Sequence, residues 1–161
     1  MPSLTELYLN GNKITSISNF GSMPALKKLV LDGNKIENID KLPKLPSLEV
    51  LDLSNNKIAT DSCLPLFAKF PKLHTLIMTG CPYAEEKGDS FKNEVLVILG
   101  TELNFKMVNE DEVTEDDLTA AKEDREARAL AKKEAEEEAA RAEAERLEAE
   151  RAAAEKPEED A

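Results

Sequence analysis

Residues 4–14 read Leu4-Thr5-Glu6-Leu7-Tyr8-Leu9-Asn10-Gly11-Asn12-Lys13-Ile14, and the spacing of their apolar side chains returns 22 residues later. Leu4, Leu7, Leu9, Asn12, Ile14 and Ile17 recur as Leu26, Leu29, Leu31, Asn34, Ile36 and Ile39. A third copy places Leu48, Leu51, Leu53, Asn56 and Ile58 in the same slots. A fourth, displaced by 25 residues, reads Leu73, Leu76, Met78, Cys81 and Tyr83, with the extra length falling between Thr60 and Pro65. The flanks keep register too, since Met1, Met23, Leu45 and Phe70 are each followed by proline. A fixed period of this length marks a stack of identical structural units, each unable to bury its apolar face alone.

Within one unit the L-x-L segment has the period of a strand, so both leucines turn inward and the residue between them faces solvent. A side-chain amide at Asn12, Asn34 or Asn56 can bond backbone groups of the turn that would otherwise lie unpaired inside the stack. Cys81 occupies the same slot in the fourth unit and is read as a structural thiol.

The pattern L-x-x-L-x-L-x-x-N-x-I resembles that of leucine-rich repeats, the short 22-residue class in particular. The resemblance implies an α/β fold: a right-handed β-α solenoid with a short parallel sheet on its concave face. The segment Phe91 to Leu99, with Leu103 and Phe105, resembles the terminal cap helix and last strand of intracellular leucine-rich-repeat proteins. In that family the cap helix starts with an aromatic-basic pair, here Phe91-Lys92, and ends in leucine-proline, where this chain has Leu99-Gly100. That departure, and one extra residue before Phe105, leave the position of the last strand open. The chain therefore divides into four repeats over 1–83, a cap over 84–109 and a tail over 110–161. At the other end Met1 sits in a repeat slot with no polar capping helix before it, which would leave the edges of Leu4, Leu7 and Leu9 in water. Either the sequence is a fragment of a longer protein or a partner covers that end.

Charge separates the same regions. The net charge is −12, yet residues 1–109 hold 12 acidic and 12 basic side chains, while residues 110–161 hold 21 acidic and 9 basic. Thr114-Glu115-Asp116-Asp117 reads as a helix N-terminus with Thr114 as its cap. No glycine or proline follows before Pro157, so the tail predicts a charged helix of about 40 residues, roughly 60 Å long. Asp124 and Arg128, Glu137 and Arg141, Lys132 and Glu136, and Lys133 and Glu137 are four apart and can pair. Leu118, Leu130 and Leu147 do not sustain a heptad seam, so self-association through the tail is not expected.

Several classes of function are disfavoured. The single histidine, His74, has no nucleophile or metal-ligand set around it, and no glycine-rich phosphate loop or calcium loop is present. The expectation is no enzyme, no cofactor and no metal. An acidic chain with no basic-aromatic patch predicts no direct nucleic-acid contact. Two cysteines, no leader-like N-terminus and no long apolar run predict a reduced, cytoplasmic protein with no membrane span.

What remains is binding of other proteins of a large assembly. The candidate surface is the solvent-facing strand wall: Tyr8, Val30, Asp52 and Ile77 in the middle, Glu6, Lys28, Val50 and Thr75 on one side, Asn10, Asp32, Ser54 and Thr79 on the other. The body resembles axonemal leucine-rich-repeat proteins of radial spokes and dynein arms, acidic leucine-rich nuclear phosphoproteins, and a spliceosomal leucine-rich-repeat subunit. The nuclear acidic proteins end in nearly pure aspartate and glutamate. The interleaved Glu/Ala/Arg tail here is more similar to that of radial-spoke proteins, which implies a scaffold in the ciliary or flagellar axoneme. A regulatory adaptor on a nuclear partner or phosphatase is the alternative.

Overall fold

The computed structural model describes residues 3–39, 41, 43–99 and 103–154. Gly100, within the Leu99-Gly100 departure, lies outside them. Each L-x-L motif forms a three-residue strand: β1 (Glu6–Tyr8), β2 (Lys28–Val30), β3 (Val50–Asp52) and β4 (Thr75–Ile77). They pair in parallel and in register, so that Leu7, Leu29, Leu51 and Leu76 stand side by side. Strands this short suffice because one inward leucine per strand stacks on its equivalents. Leu29, Leu51 and Leu76 are fully buried, as are Leu26, Leu31, Leu48, Leu53 and Met78 around them.

The first unit is the exception. Leu4, Leu7, Leu9 and Ile14 pack against the core but remain partly exposed where their later equivalents are sealed.

Left-handed backbone closes each turn after a strand. Gly11, Gly33 and Gly80 have φ of 69°, 67° and 75°, and Asn55 takes the slot in the third unit with φ 50°. Asparagine tolerates that region better than other side-chain-bearing residues, and its amide donates to Asp32 Oδ1 at 2.7 Å. The 25-residue unit places its extra length in a 3-10 turn (Asp61–Cys63) running into helix α1 (Leu64–Phe67). Cys63, Leu64 and Phe67 are buried, and the Phe67 ring stacks on Phe70 with centroids 6.4 Å apart.

Helix α2 (Pro82–Lys87) leads through a 3-10 turn into the expected cap helix, α3 (Phe91–Leu99). Phe91, Val95, Leu96, Val97 and Leu99 face the core, and Tyr83 meets Phe91 edge to face at 5.9 Å. Leu103 and Phe105 are buried, but the fifth strand, β5 (Met107–Val108), comes after them and extends the sheet in parallel beside β4. The chain then turns back at Asn109, φ 55°, into β6 (Asp111–Glu112), an antiparallel edge strand. Both β6 residues are exposed and acidic, a device that discourages further strands from adding.

Helix α4 (Glu115–Ala154) begins at Thr114 as the sequence predicts, and the cap is reciprocal. The Asp117 amide donates to Thr114 Oγ1 at 3.2 Å, and the Thr114 amide donates to Asp117 Oδ2 at 2.8 Å. Lys92 of α3 adds a bond to the same carboxylate oxygen at 2.9 Å and a second to the Glu112 carbonyl at 3.3 Å. With Leu118 and Ala121 packed on the core, the first compact unit runs through Glu123. It thus takes in the first turns of α4.

The Lys92 ammonium, followed by the Thr114 amide, holds the Asp117 carboxyl at a pKa of about 2, below its ordinary 3.8. A depressed folded-state pKa gives stability that is present above the unfolded value and lost as pH falls through the folded one. The first turns of α4 are therefore expected to loosen between about pH 4 and about pH 2. Asp117→Asn should lower stability by about 1 kcal/mol at neutral pH, the usual weight of a helix cap, and remove that acid transition. Carbon-13 shifts of residues 115–121 followed against pH check both.

The second unit, Asp124–Ala161, is helical through Ala154, and its described residues are almost all exposed. Arg128 donates to both Asp124 oxygens, at 3.2 and 2.8 Å, and Lys132 and Lys133 lie 3.8 Å from Glu136 and Glu137. Leu130 and Leu147 are 59% and 50% exposed, and they form no continuous apolar seam. Among the described residues no helix is long and apolar enough to cross a membrane.

Candidate functional site, the strand wall

The register of the sheet places the predicted surface residues in rows. Glu6, Lys28, Val50 and Thr75 are aligned neighbours, as are Tyr8, Val30, Asp52 and Ile77. Asn10, Asp32, Ser54 and Thr79 follow as a third row, set by the ladder from the Gly11 amide to the Asp32 carbonyl (2.8 Å), the Gly33 amide to the Ser54 carbonyl (3.0 Å) and the Asn55 amide to the Thr79 carbonyl (2.8 Å). Two of the twelve are not open to solvent. Thr75 is buried, with its hydroxyl 2.9 Å from His74 Nδ1, and Ser54 is buried, with its hydroxyl donating to Asp52 Oδ1.

Between the polar positions runs an apolar stripe. Tyr8 is 52% exposed, and Val30, Val50 and Ile77 are half-buried. Met107, which sequence reasoning did not place on the wall, extends the stripe onto β5 beside Thr75 and is 39% exposed. The spacing Leu103-x-Phe105-x-Met107 would instead turn it inward with the buried Phe105, so no periodic signal in the sequence marks it. Tyr8 is held in place: its hydroxyl donates to Glu6 at 2.7 Å, and the Lys28 ammonium lies 5.3 Å from its ring centroid. Such an ordered aromatic loses little freedom when a partner covers it.

Behind the wall, the turn ladder makes it rigid. The Asn34 amide donates to Leu31 O in its own turn at 2.8 Å and to Leu9 O of the preceding unit at 2.9 Å, while its oxygen accepts from the Ile14 amide at 3.1 Å. Asn56 repeats this with Leu53 O (2.9 Å), Leu31 O (3.0 Å) and the Ile36 amide (3.1 Å). Cys81 keeps the backward bond, its thiol donating to Leu53 O at 3.1 Å. Burial raises both thiols, Cys63 to about 12, so neither offers a thiolate at neutral pH. Asn12 stays exposed and, among the described residues, bonds Leu9 O and Asn10 O.

Asn109 was not foreseen. Its backbone is left-handed, and its side-chain oxygen accepts from the Met78 amide at 2.8 Å, where the Leu9, Leu31 and Leu53 amides of the earlier units donate to backbone carbonyls.

The family described as "Leucine Rich repeats (2 copies)" matches residues 2–44 and 26–66. Among solved structures the chain is similar to one in the crystal structure of the Drosophila melanogaster SNF/U2A' complex, at 21% identity and a TM-score of 0.63. That likeness covers 73% of this chain and 66% of the other. No curated protein matches the chain. The fold is a leucine-rich-repeat fold with a long C-terminal helix.

Proposed function

We propose that this chain is a non-catalytic scaffold that grips another protein with its strand wall, as a structural component of the ciliary or flagellar axoneme in a radial-spoke or dynein-associated complex. The observation that carries the binding reading is the stripe Tyr8, Val30, Val50, Ile77 and Met107, apolar and uncovered across five adjacent strands. Strands about 4.8 Å apart hold these side chains at fixed spacing, so a partner meets a preformed surface. Support for the axonemal reading is the Glu/Ala/Arg helix that follows the cap. The alternative, an adaptor on a nuclear partner, draws support from the likeness to a chain crystallised within the SNF/U2A' complex.

The test is fractionation of ciliated cells expressing the tagged chain or its Val30→Glu/Ile77→Glu variant. Wild type should remain with detergent-extracted, salt-washed axonemes, and the variant should be released at least tenfold more, about 1.4 kcal/mol of lost binding. A wild-type pool found free in nuclei would overturn the axonemal reading. Equal retention of a folded variant would overturn the wall.

A further inference from the structure

One position before the first row of the wall, the backbone ladder aligns four titratable side chains. The Glu49 amide donates to the Lys27 carbonyl at 2.8 Å, the His74 amide to the Glu49 carbonyl at 3.0 Å, and the Lys106 amide to the His74 carbonyl at 2.8 Å. Lys27, Glu49, His74 and Lys106 therefore form a row along the lip of the concave face, at the spacing of the strands. The Glu49 carboxylate lies 3.4 Å from the Lys27 ammonium and 3.9 Å from His74 Nε2. It is the single acid of the row and already has a cation beside it.

Next to this row opens a groove of about 450 Å³ between Glu49, Pro71, Lys72, His74, Asn104 and Lys106. Among the described residues, neither Lys72 nor Lys106 is paired with a carboxylate. Asn104 lines the same groove. Two lysines thus line a space whose one acid among the described residues, Glu49, already lies beside Lys27 and His74.

We infer that this groove receives an acidic peptide segment, two or three aspartate or glutamate side chains of the partner that covers the wall. The inference rests on the reading of the wall as a partner-binding face, with which the groove is continuous. Number and reach select the occupant. The two lysine ammonium groups balance two or three carboxylates held within a few ångströms of one another, which a short stretch of peptide supplies. The groove is open along the lip, so a linear segment can lie in it while the rest of the partner meets Ile77 and Met107.

The groove can be tested without the partner. The nitrogen-15-labelled full chain is titrated with acetyl-hexaglutamate amide, and the same titration is run on Lys72→Gln/Lys106→Gln and on Lys13→Gln/Lys35→Gln. Saturable shifts centred on residues 71–74 and 104–107 are expected, with affinity reduced at least tenfold in the first variant and unchanged in the second. Shifts spread evenly over all lysines, or an undiminished response in the first variant, would overturn the proposal. Inorganic phosphate giving the same shifts at the same affinity would overturn the peptide in favour of a bare anion. The Val30→Glu/Ile77→Glu variant should still bind the hexaglutamate, so failure of the wall and failure of the groove are read separately.

Discussion

Replacing Asn56 with leucine is expected to lower stability by about 3 kcal/mol, whereas Asn12→Leu should cost less than about 1 kcal/mol. The side chains are of similar size, and the two positions are equivalent in sequence. They differ in what they touch. Asn56 is 4% exposed, donates to Leu31 O, Leu53 O and Ser54 O, and accepts from the Ile36 amide. Leucine would remove all four bonds at once. The carbonyls keep second donors: Asn34 on Leu31 O, Cys81 on Leu53 O and the Gly33 amide on Ser54 O. The Ile36 amide loses its bond to Asn56 inside the stack, and an unsatisfied buried donor alone costs about 1–3 kcal/mol. Asn12 bonds two nearby carbonyls on an exposed turn, where water can replace it. Urea unfolding at unchanged m-value measures both variants. Equal losses would mean that the bonds between units contribute nothing beyond the turn itself.

Phe67→Ala carries the other large loss, about 3–5 kcal/mol by the measure of buried aromatic truncations. Phe67 belongs to the unit that is 25 residues long, and an insertion of that kind could have been a surface loop that tolerates change. Instead the added length closes the turn of α1, which directs Phe67 wholly inside, beside Phe70 and near α3. Alanine there leaves a void under the cap, lined by side chains fixed on neighbouring elements and slow to collapse into it. A loss below about 1 kcal/mol in the same urea measurement would show that α1 lies on the core rather than in it.

The features legible in the sequence are those in which local pattern and global position coincide. Tyr8, Val30, Asp52 and Ile77 could be placed in one row because one period of the repeat is one strand, so counting residues is counting strands. Thr114 was legible as a cap because its bonds lie within three residues of it. The pairing of Lys92 with Asp117 was not, since nothing periodic connects residues 25 apart on different helices. For the same reason β5 fell two residues beyond Phe105, after the repeat had ended, and the return at Asn109 into β6 went unread. On the wall itself, outward direction was readable but exposure was not: Ser54 and Thr75 face out from the sheet and are covered by the side chains beside them.

The turn ladder also has a grain. Asn34 reaches back to the first unit, Asn56 to the second and Cys81 to the third, each supplying a donor to the carbonyl of the strand before it. A unit peeled from the front leaves the next one with its own-turn bonds complete. A unit lost from behind strips the one ahead of the groups that close its interior. Damage therefore spreads more readily towards the N-terminus than away from it, and the cap helix, by securing the rear of the stack, protects turns it never touches.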